Sequence, residues 1–151
     1  MKIDHIDRKI LQQLQRDAAL GLEDLGELVG LSRNACWRRI KNLDDAGIIK
    51  SRVAILDATK LDVGLTVIIS VRTNQHDPEW LTKFAAATRE IPEILGAYRM
   101  SGDLDYLIRA QVADMQAYDR MYQRLIKKVN LADVSASFVM EEIKETTALP
   151  L

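Results

Sequence analysis

The sequence predicts an α+β chain of two domains: three short amphipathic helices before Gly47, then strands and helices in the order β-α-β-β-α-β. Three observations carry this. Apolar residues recur at three- and four-residue spacing as far as Leu43. Glycines at positions 30 and 47 punctuate that pattern, and β-branched, alternating segments begin at Val63.

The first helix is expected from about Asp4 to Arg16, with Asp4 as N-cap and Ile6, Ile10, Leu11 and Leu14 on its apolar stripe. Leu22, Leu25, Leu28 and Val29 define a second helix that stops at Gly30, where a left-handed residue ends it. Ser32 caps a third, whose stripe is Cys36, Ile40 and Leu43. A short helix, a glycine turn and a further helix describe a helix-turn-helix, and Gly26 fits a close approach between the helices.

Between Leu31 and Leu43 the third helix carries Arg33, Arg38, Arg39 and Lys41 and no acid. With the apolar stripe inward, a rotation of about 100° per residue turns Asn34, Arg38 and Lys41 outward and leaves Arg33, Trp37 and Arg39 on the flanks. Arginine can bridge guanine O6 and N7, asparagine can pair with adenine, and lysine suits a phosphate. The candidate DNA contacts are therefore Ser32, Arg33, Asn34, Trp37, Arg38, Arg39 and Lys41. The blander alternative is a solvated helix face. Ile48 to Leu56 is β-rich and reads as a wing or as a strand leading onward, with Arg52 as an eighth DNA candidate or a plain surface residue.

The second domain is expected to start at Asp57, giving residues 1–56 and 57–151. Asp57 to Lys60 reads as a hinge. Val63 to Arg72 is a strand with Leu65, Val67, Ile69 and Val71 on one face, and Asp77-Pro78-Glu79 opens a helix running to Glu90. Ile94 to Met100 and Tyr106 to Val112 read as strands around a Ser101-Gly102-Asp103-Leu104-Asp105 connection. Asp114 opens the last helix, and Val134 to about Lys144 closes as a strand. This is the ferredoxin-like split βαβ order. Its helices cover one sheet face, so the other, bearing Ile68, predicts self-association.

Bulk properties narrow the function classes. At 151 residues and 48% hydrophobic, the chain can form buried cores, and a net charge of −1 argues against a wholly basic nucleic-acid coat while leaving room for a local patch. No apolar run reaches the roughly 18 residues of a membrane span. Acid and histidine near the start, at Asp4 and His5, replace the apolar core of a secretory signal, so a cytoplasmic chain is expected. Cys36 is the single cysteine, expected in the core rather than as a nucleophile, and His5 and His76 lack zinc spacing. No catalytic group, metal or cofactor is expected.

The run Leu31 to Leu43, the loop Gly102-Asp103-Leu104-Asp105-Tyr106 and the segment Val139-Met140-Glu141-Glu142-Ile143-Lys144 together resemble the Lrp/AsnC, or feast/famine, regulators over essentially the full length. The resemblance implies DNA binding by the winged domain, dimers through the C-terminal regulation of amino acid metabolism (RAM) domain, and octamers of such dimers. It also implies an amino-acid effector between dimers. The effector site it implies comprises Tyr98, Met100, Gly102, Asp103, Leu104, Asp105 and Tyr106, with Ser135, Ser137 and Phe138 from the last strand. One departure is Val129-Asn130-Leu131-Ala132-Asp133, where many relatives carry a proline-glycine turn, and this bears on pocket shape.

The loop is chemically apt for that ligand. A glycine lets backbone N–H groups approach a carboxylate, and Asp103 or Asp105 can receive an ammonium, although a hairpin can use the same residues only to turn. Arg99 and Arg109 flank it and suit a carboxylate or those aspartates. Two other functions fit the layout. A siroheme-type tetrapyrrole decarboxylase shares the two-domain plan, but neither histidine lies near the expected cleft. A sensor that has lost DNA affinity is opposed by the intact cation run.

Overall fold

The computed structural model describes residues 2–75 and 77–151; Met1 and His76, one of the two histidines weighed for zinc, lie outside them. Two units emerge. One runs to Ile55 and takes in Ile143–Leu151, and the other is Leu56–Glu142.

The first unit holds α1 (His5–Arg16), α2 (Leu22–Val29) and α3 (Arg33–Asp45). A reciprocal capping box starts α1: the Asp7 N–H donates to Asp4 Oδ1 at 2.8 Å and the Asp4 N–H to Asp7 Oδ2 at 3.1 Å. Gly30, at φ 72° and ψ 38°, ends α2. The close approach expected at Gly26 is present, but against the turn. A Cβ there would lie 2.6 Å from the Leu31 carbonyl oxygen, which leaves no room for a side chain. Ser32 caps α3 by accepting the Ala35 N–H at 3.3 Å. Ile10, Leu25, Cys36 and Leu43 are fully buried between the three helices.

The wing is a correction. The segment from Ile48 to Leu56 forms no strand; the Ile48 and Ile49 N–H groups turn back to the Leu43 carbonyl at 3.0 and 3.4 Å. A strand requires a partner for its ladder, and none of the described elements of this unit is a strand. Val53, Ile55 and Leu56 are left more than two-thirds exposed or close to it, at 75%, 76% and 67%. The expected hinge is also replaced: Asp57 caps a 3₁₀ turn, Ala58–Leu61, which Asp62 ends in the left-handed conformation.

The second unit is a four-stranded antiparallel sheet of β1 (Leu65–Arg72), β2 (Ile94–Arg99), β3 (Tyr106–Val112) and β4 (Asp133–Phe138), in the order β2-β3-β1-β4. Helices α4 (Pro78–Glu90) and α5 (Met115–Lys128) pack on one face. Alternation places Val67, Ile69, Val71, Ile108, Ala110 and Val112 under them, buried. The ring of Tyr106 closes this core against Trp80 and Phe84, at centroid distances of 5.5 and 4.7 Å.

β4 ends at Phe138, not near Lys144. Phe138 pairs with Val67, and the Val139 N–H reaches the Thr66 carbonyl at 3.0 Å. One residue earlier β1 begins, so the ladder has no further rungs to offer. The chain then leaves the sheet, and its last residues lie on α1, where Gln15 both donates to and accepts from the Leu149 backbone. The sequence boundary at 56/57 assigns this tail to the second domain; the packing joins Ile143–Leu151 to the helical unit.

Candidate nucleic-acid and effector interfaces

On α3 the burial pattern splits the cations into two groups. Arg33, Asn34, Trp37, Arg38 and Lys41 are exposed along one side of the helix. Arg39 is on the other side, against α1. Its Nη1 lies 2.8 Å from Asp4 Oδ2 and 2.7 Å from Asp7 Oδ1, and the Asp7 side chain is only 6% exposed. The guanidinium thus satisfies a buried carboxylate and completes the capping box. The Asp7 backbone N–H, reinforced by Arg39, holds the Asp4 carboxyl down at about 2, and the Asp4 carboxylate, with that of Asp7, raises Arg39 above its ordinary value. Arg39, a flanking cation among the DNA candidates, is thus engaged in fastening α3 to the start of α1.

Arg52 is likewise engaged, with Nη2 3.0 Å from Asp44 Oδ2 at the end of α3. Lys41 Nζ lies 5.4 Å from the centroid of the Trp37 ring, a cation–π contact one helical turn long. Ser32 serves the helix as its cap. Cys36 is buried, and desolvation pushes its thiol up, which suits packing.

The loop from Met100 to Asp105 is held by its own backbone and by its neighbours. The Met100 N–H donates to the Asp105 carbonyl at 2.8 Å, and the Asp105 N–H to Val71 at 3.1 Å. The Asp105 carboxylate accepts the Thr73 N–H at 2.8 Å, and the Asp103 carbonyl accepts from Arg72 Nε at 3.0 Å. Gly102 has φ 100°, in the region closed to most side chains. Leu104 is half-buried and Asp103 exposed.

The ten expected effector residues do not converge within one chain. Tyr106 and Phe138 point to the helix-covered side, Phe138 edge-on to Tyr118 at 5.2 Å. Ser135 and Ser137 lie on the opposite face. Tyr98 shares that face and lies across Gly96, where a Cβ would meet its hydroxyl at 2.4 Å. One row of the sheet reads Tyr98, Leu107, Ser70, Ser135, from edge to edge. Three strand spacings separate its ends, about 14 Å. Beside the loop, between α4 and β2, runs a groove of about 460 Å³ lined by Leu81, Ala85, Leu95, Ala97, Arg89 and Arg99. Sequence reasoning missed it because a groove at a sheet edge leaves no periodic signal.

Comparison with known proteins decides the family. A family model described as the AsnC-type helix-turn-helix domain matches residues 3–44, and one described as the Lrp/AsnC ligand binding domain matches residues 66–149. The chain belongs to the Lrp/AsnC family. The DNA-binding transcriptional activator DecR of Escherichia coli (strain K12) is 48% identical over 150 residues, which is 99% of either chain. An AsnC family transcriptional regulator from Agrobacterium tumefaciens superimposes with a TM-score of 0.94 at 50% identity, covering 97% of this chain and 96% of that one. A transcriptional regulator from Neisseria meningitidis, solved in complex with L-methionine, also reaches 0.94, at 37% identity, with 99% and 97% covered. The two Lrp/AsnC matches leave residues 45–65 between them, the stretch that holds the unpaired segment before the 3₁₀ turn and the turn itself.

Proposed function

We propose that this Lrp/AsnC member binds double-stranded DNA sequence-specifically through the exposed side of α3 and regulates transcription in the cytoplasm in response to an amino acid. The observation that carries the reading is the exposed stripe of Arg33, Asn34, Arg38 and Lys41, free of acid as far as Leu43, on a helix capped and positioned as the second element of a helix-turn-helix. Cations neutralise phosphates and fix the register, while Asn34 and Arg38 supply the bidentate groups that distinguish bases. The regulators among its relatives support the same reading. No helix among the described residues is long and apolar enough to cross a membrane.

The RAM-type unit, from about residue 57 on, is assigned assembly and sensing. Ile68, Leu107 and Tyr98 lie on the sheet face away from the helices, and Val53, Ile55 and Leu56 protrude from an unpaired segment; both features favour self-association into a dimer, while further assembly into octamers is what the family resemblance implies. An effector site shared between copies accounts for the wide separation of Tyr98 from Ser135 and Ser137. Asp103, exposed on the loop beyond that row, suits the ammonium of an amino acid. The Neisseria relative with bound L-methionine supports this ligand class.

The test is selection of duplexes from a random pool by the purified full chain, followed by salt-titrated binding of the enriched sequence and calorimetry with the twenty amino acids. A consensus with two half-sites and a steep salt dependence is expected. Binding without any sequence enrichment would overturn the reading.

A further inference from the structure

We infer that Trp37 is a specificity-determining residue that reads the 5-methyl group of a thymine in the major groove, with Lys41 held beside it for the adjoining phosphate. The inference rests on the reading of α3 as the recognition helix and names part of what that helix recognises.

Trp37 is the one aromatic residue of α3, and it is 54% exposed. It lies one turn after Asn34 and one turn before Lys41, next to Arg38, so the indole borders the outward polar stripe on the same exposed side of α3. Keeping that apolar surface in water is unfavourable unless something covers it. Lys41 covers part of one ring face, with Nζ 5.4 Å from the centroid. The ring edge remains for a partner.

In the major groove, guanine, cytosine and adenine present hydrogen-bonding groups along their edges, and an indole offers a single N–H donor and no acceptor. Set against those bases, the ring would desolvate several polar groups, and its one donor could replace at most one of their bonds. Thymine alone adds an apolar group there, its 5-methyl. The cation–π contact has a second effect: it holds the long Lys41 side chain near one direction, toward the backbone that borders the contacted base. A protein partner seated on Trp37 is the competing occupant. The four exposed cationic or amide side chains around the ring favour DNA.

The experiment uses the full-length protein and its own selected duplex. Each thymine is replaced in turn by deoxyuridine, which removes only the methyl group, and affinity is read by fluorescence anisotropy. One thymine per half-site is expected to lose about three- to tenfold in affinity on replacement, the order of a buried methyl group. Trp37→Ala should bind the natural duplex more weakly by at least that factor and be indifferent to deoxyuridine at that position. Trp37→Phe should keep most of the methyl dependence. Because Trp37 is largely exposed, both variants should melt like the parent. Were Trp37→Ala to unfold, the deoxyuridine scan on the parent and on Trp37→Phe would still decide. The inference is overturned if no thymine methyl matters to the parent, or if Trp37→Ala retains the parent's methyl dependence. Failure to enrich any sequence would instead overturn the DNA-binding reading beneath it.

Discussion

In the helical unit the side chains proposed to meet DNA stand on one exposed stripe of α3, whereas in the sheet unit the residues expected around an effector fall on two faces and two edges. A helix repeats its outward direction every three to four residues, so a local run such as Asn34, Trp37, Arg38 and Lys41 is a surface by itself. A sheet alternates, and neighbours along β4 such as Ser137 and Phe138 face away from each other. The first unit can present a binding surface in a single copy. Under the proposed function the second would need another copy to close one, which is why sensing by assembly suits that reading.

The largest expected effect lies in the core beneath the sheet. Ile108 is fully buried on β3 between Ile69 and Ala97, and Ile108→Ala should cost about 2–5 kcal/mol in urea unfolding, with assembly lost alongside. A loss within experimental error would break the view that this core supports the interface. Next comes the helical unit's own fastening. Arg39→Ala removes the charged partner of the buried Asp7 and should cost about 1–3 kcal/mol, read as a lowered thermal midpoint. An unchanged midpoint would return Arg39 to the group of free surface cations.

Most of the fold was legible in the sequence. Caps at Asp4, Ser32, Asp77 and Asp114, and the left-handed stop at Gly30, depend on chemistry confined to a few neighbouring residues, and each begins or ends its helix where expected. What was not legible depends on partners remote in sequence. The residues from Ile48 to Leu56 have strand composition but no ladder, and β4 stops where β1 begins. Helical rotation set Arg39 on the flank and Arg38 outward, but the ion pairs that engage Arg39 depend on Asp4 and Asp7, more than thirty residues earlier. The same holds for Asp105, whose carboxylate serves Thr73.

Acid titration sharpens the comparison further. The Asp4 carboxyl titrates at about 2 in the folded unit against an ordinary 3.8. A depressed carboxylate stabilises fully above the ordinary value and loses that contribution as pH falls through about 2. Thermal melts between these limits should therefore weaken the parent more steeply than Asp4→Asn; parallel curves would contradict the capping geometry. The smallest effect is expected at the tail. Gln15→Ala removes two exposed bonds to the Leu149 backbone and should cost below about 1 kcal/mol, detectable as faster exchange of the Leu149 amide. Exchange as slow as in the parent would mean that the tail is held elsewhere.

The central claim is that α3 divides its adjacent arginines, Arg38 outward to DNA and Arg39 inward to structure. Parallel measurement of duplex affinity and thermal midpoint for Arg38→Ala and Arg39→Ala tests it most directly. Arg38→Ala should keep the parent's midpoint and lose about 1–3 kcal/mol of binding, about 5- to 150-fold, either relaxing one operator position or flattening the salt dependence. Arg39→Ala should lower the midpoint, and its binding at a temperature where it stays folded should keep the parent's base preferences and salt slope. Parent-like affinity in Arg38→Ala, with specificity lost in a stably folded Arg39→Ala, would contradict the division.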